Sequence, residues 1–313
     1  MGLAIIHSRA CVGVEAPPVT VEVHISNGMP GFSLVGLPET TVKEAKDRVR
    51  SAIINANFEF PSKKITVNLA PADLPKEGGR FDLPIALGIL AASDQIPENK
   101  LDGHEFVGEL ALSGELRRVK GVLPAALASL NAKRCLVVPD DNGDQAALVG
   151  KDIHKSAPHL LAVCGFLCGQ QQLSLLTSPQ IEEQSLSLER DLQDIIGQQQ
   201  GKRALEIAAA GGHNLLYLGP PGTGKTMLAS RMSDLLPEMT NDEALETAAV
   251  ASLTHQNITE SNWRARPFRS PHHSSSMAAL VGGGSIPRPG EISLAHNGIL
   301  FLDETELIPI IKS

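Results

Sequence analysis

The fold of this chain's second half is decided by Gly219-Pro220-Pro221-Gly222-Thr223-Gly224-Lys225-Thr226. The stretch fits G-x-x-x-x-G-K-[ST], the phosphate-binding P-loop, in which glycines let successive backbone N–H groups point at one phosphate. The apolar run 215–218 before it predicts a buried strand, and the apolar pattern of 227–236 after it predicts a helix. We therefore expect Lys225 to reach the β- and γ-phosphates of a nucleotide and the Thr226 hydroxyl to hold Mg²⁺.

A second motif follows at Asn297-Gly298-Ile299-Leu300-Phe301-Leu302-Asp303-Glu304. Four apolar residues that end in two acids predict a buried strand with carboxylates at its C-terminal tip, the edge where ligands sit in open α/β sheets. We expect Asp303 to act at the Mg²⁺ shell and Glu304 to orient and deprotonate the attacking water. Together the two motifs predict an ATP hydrolase with ATP and Mg²⁺ as cofactors and Glu304 as its catalytic residue.

The composition is that of a globular protein with an aliphatic core, because 42% of the residues are hydrophobic, 20% are charged and only 3% are aromatic. The net charge of -8 argues against a broadly basic surface that coats nucleic acid, while it leaves room for a small basic patch or a ring pore. No apolar run approaches about 18 residues and no signal peptide is visible, so we expect a cytoplasmic protein without membrane contact. The spacing of Cys164 and Cys168 lacks a second ligand pair, which favours buried thiols over zinc.

Residues 1–175 alternate predicted strands and helices, which indicates a mixed α/β or α+β domain. The predicted strands are 19–25, 32–35, 64–69, 106–110 and 135–139, and the predicted helices are 43–57, 82–92, 122–130 and a short one that begins at 146. Two passages, 75–79 and 107–119, resemble the C-terminal domain of Lon-type proteases, a fold shared with ribosomal protein S5.

The resemblance implies a serine nucleophile in the first passage and a lysine base shortly after the second. Here Arg80 and its neighbours stand where the serine is expected, and 121–124 stands where the lysine is expected. A serine–lysine pair needs both groups, so we expect a domain of this fold without proteolytic activity. Several carboxylates nearby are candidates for acid–base work, but solvated carboxylates and helix caps are the favoured interpretation; these are Asp73, Asp82, Glu109 and Glu115.

Residues 176–190 are polar and lack an apolar period, which predicts a linker, and 191–313 form the second predicted domain. A helix is predicted from Gln199 to Ala210, with a glycine cap at 211–212. In AAA+ ATPases a segment like Ile195-Ile196-Gly197 lies against the adenine, and the resemblance implies that role here. A plain entry into the helix is the alternative interpretation.

The block 264–296 is basic and rich in glycine within an acidic chain. It predicts a loop that grips a polyanion in a pore, or alternatively an ordinary solvated loop. Its segments 268–273 and 280–284 resemble the magnesium-chelatase-like family of AAA+ ATPases. In that family a Lon-like domain precedes the ATPase module.

This resemblance implies a fold of an α+β Lon-like domain followed by a P-loop α/β domain. It also implies a homo-hexameric ring and a motor that acts on single-stranded or branched DNA, as in branch migration during natural transformation. An ATP-dependent protein remodeller or a chelatase-type ATPase is the alternative. The sequence departs from the family pattern at 305–313, where the expected sensor, arginine finger and lid are missing. We therefore expect a truncated form with impaired hydrolysis.

Overall fold

The computed structural model describes residues 2–36, 45–76, 78–150, 152–177, 191–254, 263–272, 274–283 and 288–303. The chain divides into two compact units, Met1–Pro179 and Gln180–Ser313, called here the N-terminal and C-terminal units. Both contain helices and strands, so the α/β class predicted from the sequence is confirmed.

The strands of the N-terminal unit are β1 (Gly2–Arg9), β2 (Pro18–Ser26), β3 (Gly31–Val35), β4 (Lys64–Ala70), β5 (His104–Phe106), β6 (Glu109–Leu110), β7 (Leu116–Arg117), β8 (Cys135–Pro139), β9 (Lys155–Ala157) and β10 (Ser174–Leu175). Its helices are α1 (Ala45–Asn55), α2 (Asp82–Ala92), α3 (Val122–Asn131), α4 (Gly143–Ala147) and α5 (Leu160–Leu167).

An eight-stranded mixed sheet organises this unit in the order β10-β9-β8-β5-β1-β2-β4-β3. Strand β1 forms an antiparallel hairpin with β2 and also pairs in parallel with β5, where His7 lies opposite Glu105. Strands β2 and β4 alternate buried and solvent-facing residues, as their predicted period of two requires. Each strand therefore places its valines, isoleucines and leucines on the same covered face.

Helix α2 lies on that covered face, and each of its residues is buried. It packs against β1, β2 and α1. A Cβ built on Gly88 would lie 2.5 Å from Val23 Cγ2, so the missing side chain allows the helix to approach the sheet closely. The core of the unit is therefore aliphatic, as the low aromatic content predicts.

Most elements predicted for the N-terminal unit are confirmed within one or two residues, but the short helix predicted to begin at 146 is α4, which begins at Gly143 and ends at Ala147. The exceptions have local causes. The predicted strand 106–110 is split into β5 and β6 because the backbone N–H of Gly108 turns to the carbonyl of Arg80. The first strand, β1, was not predicted, since its apolar residues do not alternate with polar ones. The N-terminal end of the helix predicted from Lys43 lies outside the described residues.

The C-terminal unit contains α6 (Gln199–Gly211), α7 (Lys225–Ala229), α8 (Met232–Leu235), α9 (Asn241–Ser252), α10 (Met277–Val281) and α11 (Glu291–Leu294). Its strands are short: β11 (Phe268–Arg269), β12 (Gly282–Gly283), β13 (Arg288–Pro289) and β14 (Ile299–Leu300). Strands β11 and β14 pair in parallel, and β12 pairs with β13 in antiparallel fashion.

The buried strand predicted at 215–218 is wrong. No strand is assigned there, and Leu216 and Leu218 are 70% and 88% exposed. An apolar run forms a strand only where a neighbouring backbone supplies hydrogen-bond partners, and among the described residues none lies beside it. The helix predicted at 227–236 is also corrected, since α7 and α8 are two separate short helices. The glycine cap of α6 is confirmed, because Gly212 is left-handed with φ 62°.

Candidate functional site

The glycine-rich loop is built by backbone conformations that favour glycine. Gly222 and Gly224 have φ of 79° and 83°, in the left-handed region. A Cβ on either residue would meet nothing within 4 Å, so the loop is open on their side. The Thr223 hydroxyl donates to the carbonyl of Pro220 at 2.9 Å and holds the turn closed. Helix α7 starts directly after Gly224, and its first N–H groups add to the donors of the loop.

Lys225 lies across this loop. Its Nζ donates to the carbonyl oxygens of Gly219 at 2.9 Å and Pro220 at 3.0 Å. Both hydrogen bonds are solvent-exposed, which makes them weak and easily exchanged for a stronger acceptor. The ammonium group is therefore already positioned at the mouth of the loop, where a phosphate oxygen would replace a carbonyl.

The P-loop and the second motif meet at Thr226 and Asp303. The Thr226 hydroxyl donates to Asp303 Oδ2 at 3.1 Å, although the two residues are 77 positions apart. Asp303 follows β14, which β11 holds in register from Phe268 to Arg269. Two oxygens bound to neighbouring positions of one octahedral Mg²⁺, each at about 2.1 Å, lie about 3.0 Å apart. The observed separation fits such a pair of ligands. Glu304, the expected catalytic residue, lies outside the described residues.

The residues expected to contact adenine differ in their exposure to solvent. Ile195 is 6% exposed and contributes to the core of the unit, whereas Ile196 is 96% exposed. Gly197 is left-handed with φ 75° and turns the chain into α6. The geometry leaves Ile196 and the Gly197 backbone open to a base, while Ile195 supports them from inside.

Two residues connected to this site were missed by the sequence analysis. Gln198 donates from Nε2 to the carbonyl of Thr223 at 3.1 Å and so ties the entrance of α6 to the glycine loop. Arg231 donates to the carbonyl of Asp191 at 3.3 Å and lies 4.0 Å from the Asp194 carboxylate. Contacts between a side chain and a distant backbone leave no periodic pattern in a sequence, so no signal could have found them.

The basic block is largely occupied with internal contacts. Arg269 forms a bidentate pair with Glu291 at 2.6 and 2.8 Å, which lowers the pKa of Glu291 and raises that of Arg269. Arg266 donates to the carbonyls of Pro237 and Asn297 at 2.6 and 2.7 Å. Two of the arginines proposed to grip a polyanion thus have a structural role in the described part of the block.

In the N-terminal unit, the region where a protease serine is expected, at Arg80, lies close to the region where its lysine is expected, at 121–124. A Cβ on Gly121 would lie 3.9 Å from Arg80 Nη1, and Arg80 is 5% exposed. Leu123 beside it is fully buried. A cation and an aliphatic side chain therefore occupy this region.

The favoured interpretation of Asp82 as a solvated carboxylate or a helix cap is wrong, because the residue is buried and the N-cap of α2 is Phe81. Asp82 is 1% exposed and accepts two hydrogen bonds from Arg48, at 2.7 and 3.1 Å. Burial raises its pKa to about 6, although Arg48 and the backbone N–H of Leu110 act in the opposite direction. Arg48 compensates this buried charge only in part.

No cluster of His, Cys, Asp and Glu suited to a metal ion occurs among the residues that the structure describes. The four cysteines are free; Cys164 is buried as expected, whereas Cys168 is exposed, which corrects the expectation for that thiol. Within the described ranges, no helix is both long and apolar enough to cross a membrane.

Known proteins match both units. The family described as "Magnesium chelatase, subunit ChlI" matches residues 191–309, and that described as "Subunit ChlI of Mg-chelatase" matches residues 21–142. The chain is 61% identical over 304 residues to the uncharacterized protein YifB of Escherichia coli and 63% identical over 308 residues to the competence protein ComM of Haemophilus influenzae. Each alignment covers 97% of this chain and 60% of the relative, so the chain spans about 60% of the length of these proteins. An archaeal Lon protease of Methanothermobacter thermautotrophicus is 42% identical over 67 residues, which cover 21% of this chain and 10% of the protease.

Proposed function

Since the chain belongs to the magnesium chelatase subunit ChlI family, whose models match most of both units, we propose that its C-terminal unit binds ATP together with Mg²⁺. The observation that carries the proposal is the 3.1 Å contact between Thr226 and Asp303, directly after the loop on whose carbonyls the Lys225 ammonium lies. A hydroxyl and a carboxylate are the oxygen ligands that Mg²⁺ takes, directly or through water. The loop and Lys225 supply donors to the phosphates. Ile196 and Gly197 would contact the adenine.

Nucleotide binding tests this proposal directly. Calorimetric titration of the chain with ADP and Mg²⁺ should give saturable binding, and Lys225→Ala should weaken it by at least about tenfold, because a hydrogen bond to a charged group contributes about 1.5–3 kcal/mol. Lys202→Ala is the matched control, since it removes a lysine of α6 in the same unit and should leave the affinity unchanged. Equal affinities for the Lys225→Ala variant and the unaltered chain would overturn the assignment of the P-loop.

We further propose that the whole protein hydrolyses ATP, with Asp303 at the metal and Glu304 as the base that activates water. Glu304→Gln should then retain ATP binding and lose hydrolysis. The proposal has to be tested in a protein of the relatives' full length, because this chain spans about 60% of them. Undiminished hydrolysis by the Glu304→Gln variant of that protein would remove Glu304 from the mechanism.

For the substrate we propose DNA, handled by a homo-hexameric ring in the cytoplasm. The name of the related competence protein ComM supports a role with DNA. In a full-length relative, branched DNA should stimulate ATP hydrolysis, whereas an unfolded protein should not. The reverse result would favour a protein remodeller or a chelatase-type ATPase. We also propose that the N-terminal unit lacks protease activity, which a labelled casein assay would check.

A further inference from the structure

Three features of the N-terminal unit meet at Cys11. The first is the Cys11 thiol on the turn between β1 and β2. The second is the Arg80 guanidinium, and the third is the N-terminus of α3. A Cβ built on Gly121, the N-cap of α3, would lie 2.4 Å from Cys11 Sγ and 3.9 Å from Arg80 Nη1. The thiol, the guanidinium and the helix end therefore share one small volume.

Arg80 is a buried cation that forms no ion pair with any carboxylate among the described residues. It is 5% exposed, and its Nε and Nη2 atoms are buried without a hydrogen-bond partner in the described part of the chain. Burial lowers the pKa of Arg80, and the Cys11 sulfur beside it acts in the opposite direction. A guanidinium stays protonated in proteins, so it cannot escape the cost of burial by losing its charge. An anion at the position of Cys11 would compensate that charge.

The end of α3 adds to the positive potential. This helix has ten residues, and Gly121 as N-cap has no side chain to satisfy its first N–H groups. The partial positive charge of a helix N-terminus favours an anion within the first turn. Cys11 Sγ lies at this end, so the helix and Arg80 act on the sulfur in the same direction.

Cys11 is held in place and remains reachable from solvent. Val12 and Glu15 exchange two backbone hydrogen bonds of 3.0 Å, which close the turn directly after Cys11. The side chain is half-buried, so a small reagent has access to the sulfur. Partly exposed cysteines in such electropositive surroundings are the reactive ones.

We propose that Cys11 is a site of reversible oxidation by a small hydroperoxide such as hydrogen peroxide, whose product Arg80 and the N-terminus of α3 bind. The sulfur attacks one peroxide oxygen, an S–O bond forms and the O–O bond breaks. The sulfur gives up two electrons, and the departing hydroxide takes the proton of the thiol, so thiol and hydrogen peroxide yield sulfenic acid and water. The Arg80 guanidinium, whose Nη1 reaches the same volume as the sulfur, donates a hydrogen bond to the ionised sulfenate oxygen, and an added thiol reduces the product back to cysteine.

Cys168 provides an internal control. It is exposed, and it caps the C-terminus of α5, where the helix dipole opposes an anion. If exposure alone governed oxidation, Cys168 would react faster than Cys11. If the electrostatic surroundings govern it, Cys11 reacts faster despite its lower exposure.

The test exposes the full chain to hydrogen peroxide in the presence of dimedone and measures the adduct at each cysteine by peptide mass spectrometry. We expect the Cys11 adduct to form at least about tenfold faster than the Cys168 adduct. Arg80→Met should lower the Cys11 rate toward that of Cys168 and leave Cys168 unaffected, while Arg80→Lys should retain part of the rate. Replacing an uncompensated buried charge by an apolar side chain is often neutral or stabilising, so Arg80→Met is expected to fold.

Two results would overturn the proposal. One is a Cys11 rate equal to or below that of Cys168 in the unaltered chain. The other is an unchanged Cys11 rate in Arg80→Met when its circular dichroism spectrum and its Cys168 rate match those of the unaltered chain. Should Arg80→Met fail to fold, the comparison of Cys11 with Cys168 and the rate in Arg80→Lys still decide the question.

Discussion

Asp82 shows how a single buried carboxylate couples the N-terminal unit to pH. It stands at the start of α2, is 1% exposed and is paired with Arg48 at 2.7 Å. Burial raises its pKa from 3.8 to about 6, and the hydrogen bonds from Arg48 and Leu110 offset only part of that effect. The folded chain therefore holds a proton at Asp82 under conditions in which the unfolded chain has lost it.

The sign of the resulting pH dependence follows from this difference. Between about pH 4 and pH 6 the folded state binds more protons at Asp82, so the contribution of this residue to stability falls as the pH rises and is constant above that window. A shift of two pKa units corresponds to about 3 kcal/mol. We expect the free energy of unfolding of the unaltered chain, relative to Asp82→Asn, to decrease by up to about 3 kcal/mol from pH 4 to pH 7. Urea unfolding of both proteins at pH 4 and pH 7 measures this difference in the free energy of unfolding. A difference that is the same at both pH values would contradict the raised pKa of Asp82.

Among the elements, α2 is the one most constrained by its neighbours. It is buried on all sides and touches β2 where Gly88 faces Val23. Glycine inside a helix is less favourable than alanine by about 1 kcal/mol. The close contact with the sheet therefore outweighs helix propensity at this position.

We predict that Gly88→Ala destabilises the chain. The new methyl group would lie 2.5 Å from Val23 Cγ2, and overpacking of this kind typically costs about 1–3 kcal/mol, more than the gain in propensity. Gly103→Ala is the matched control, since a Cβ there meets nothing within 4 Å. Thermal unfolding of both variants compares them. A Gly88→Ala variant as stable as the Gly103→Ala variant would show that the sheet can move aside.

The elements also show how far a sequence can predict this molecule. Helix α2 and strand β2 were predicted because their apolar residues follow a single clear pattern over their whole length. The strand at 215–218 was predicted wrongly, since an apolar run does not specify whether a neighbouring strand is present. For the candidate site, the motifs predicted that Thr226 and Asp303 act together. The hydrogen bond from Gln198 to the carbonyl of Thr223 depends on the left-handed backbone of Gln198 itself, with φ 54°. No sequence pattern predicts that conformation.

At the scale of the whole molecule, the two units differ in how much core they bury. The buried apolar residues of the N-terminal unit form two large clusters, whereas no described residue of the C-terminal unit belongs to either cluster. Stability is therefore expected to be uneven along the chain, with the C-terminal unit the weaker part.

The chain contains one tryptophan, Trp263, which is 7% exposed in the C-terminal unit and so reports on that unit alone. ADP with Mg²⁺ at about 100 times its dissociation constant should stabilise the unit that binds it by about 2.7 kcal/mol. We predict that the nucleotide raises the midpoint of the Trp263 fluorescence transition and that Lys225→Ala abolishes the increase. Asp82→Asn serves as the control, because its effect belongs to the other unit. An increase that persists in Lys225→Ala would place the nucleotide elsewhere.

The central position of β1 in the sheet has a consequence for the speed of folding. Its partner β2 follows at once along the chain, but its other neighbour, β5, is almost a hundred residues away, as the opposition of His7 and Glu105 shows. The buried pair of Arg9 and Glu105 at 2.6 Å closes the same long loop. Closing such a loop requires the chain to lose conformational entropy before the contacts form, and folding rates fall as contacts become less local. The hairpin of β1 and β2 can thus form locally, whereas the pairing of β1 with β5 limits the rate of folding.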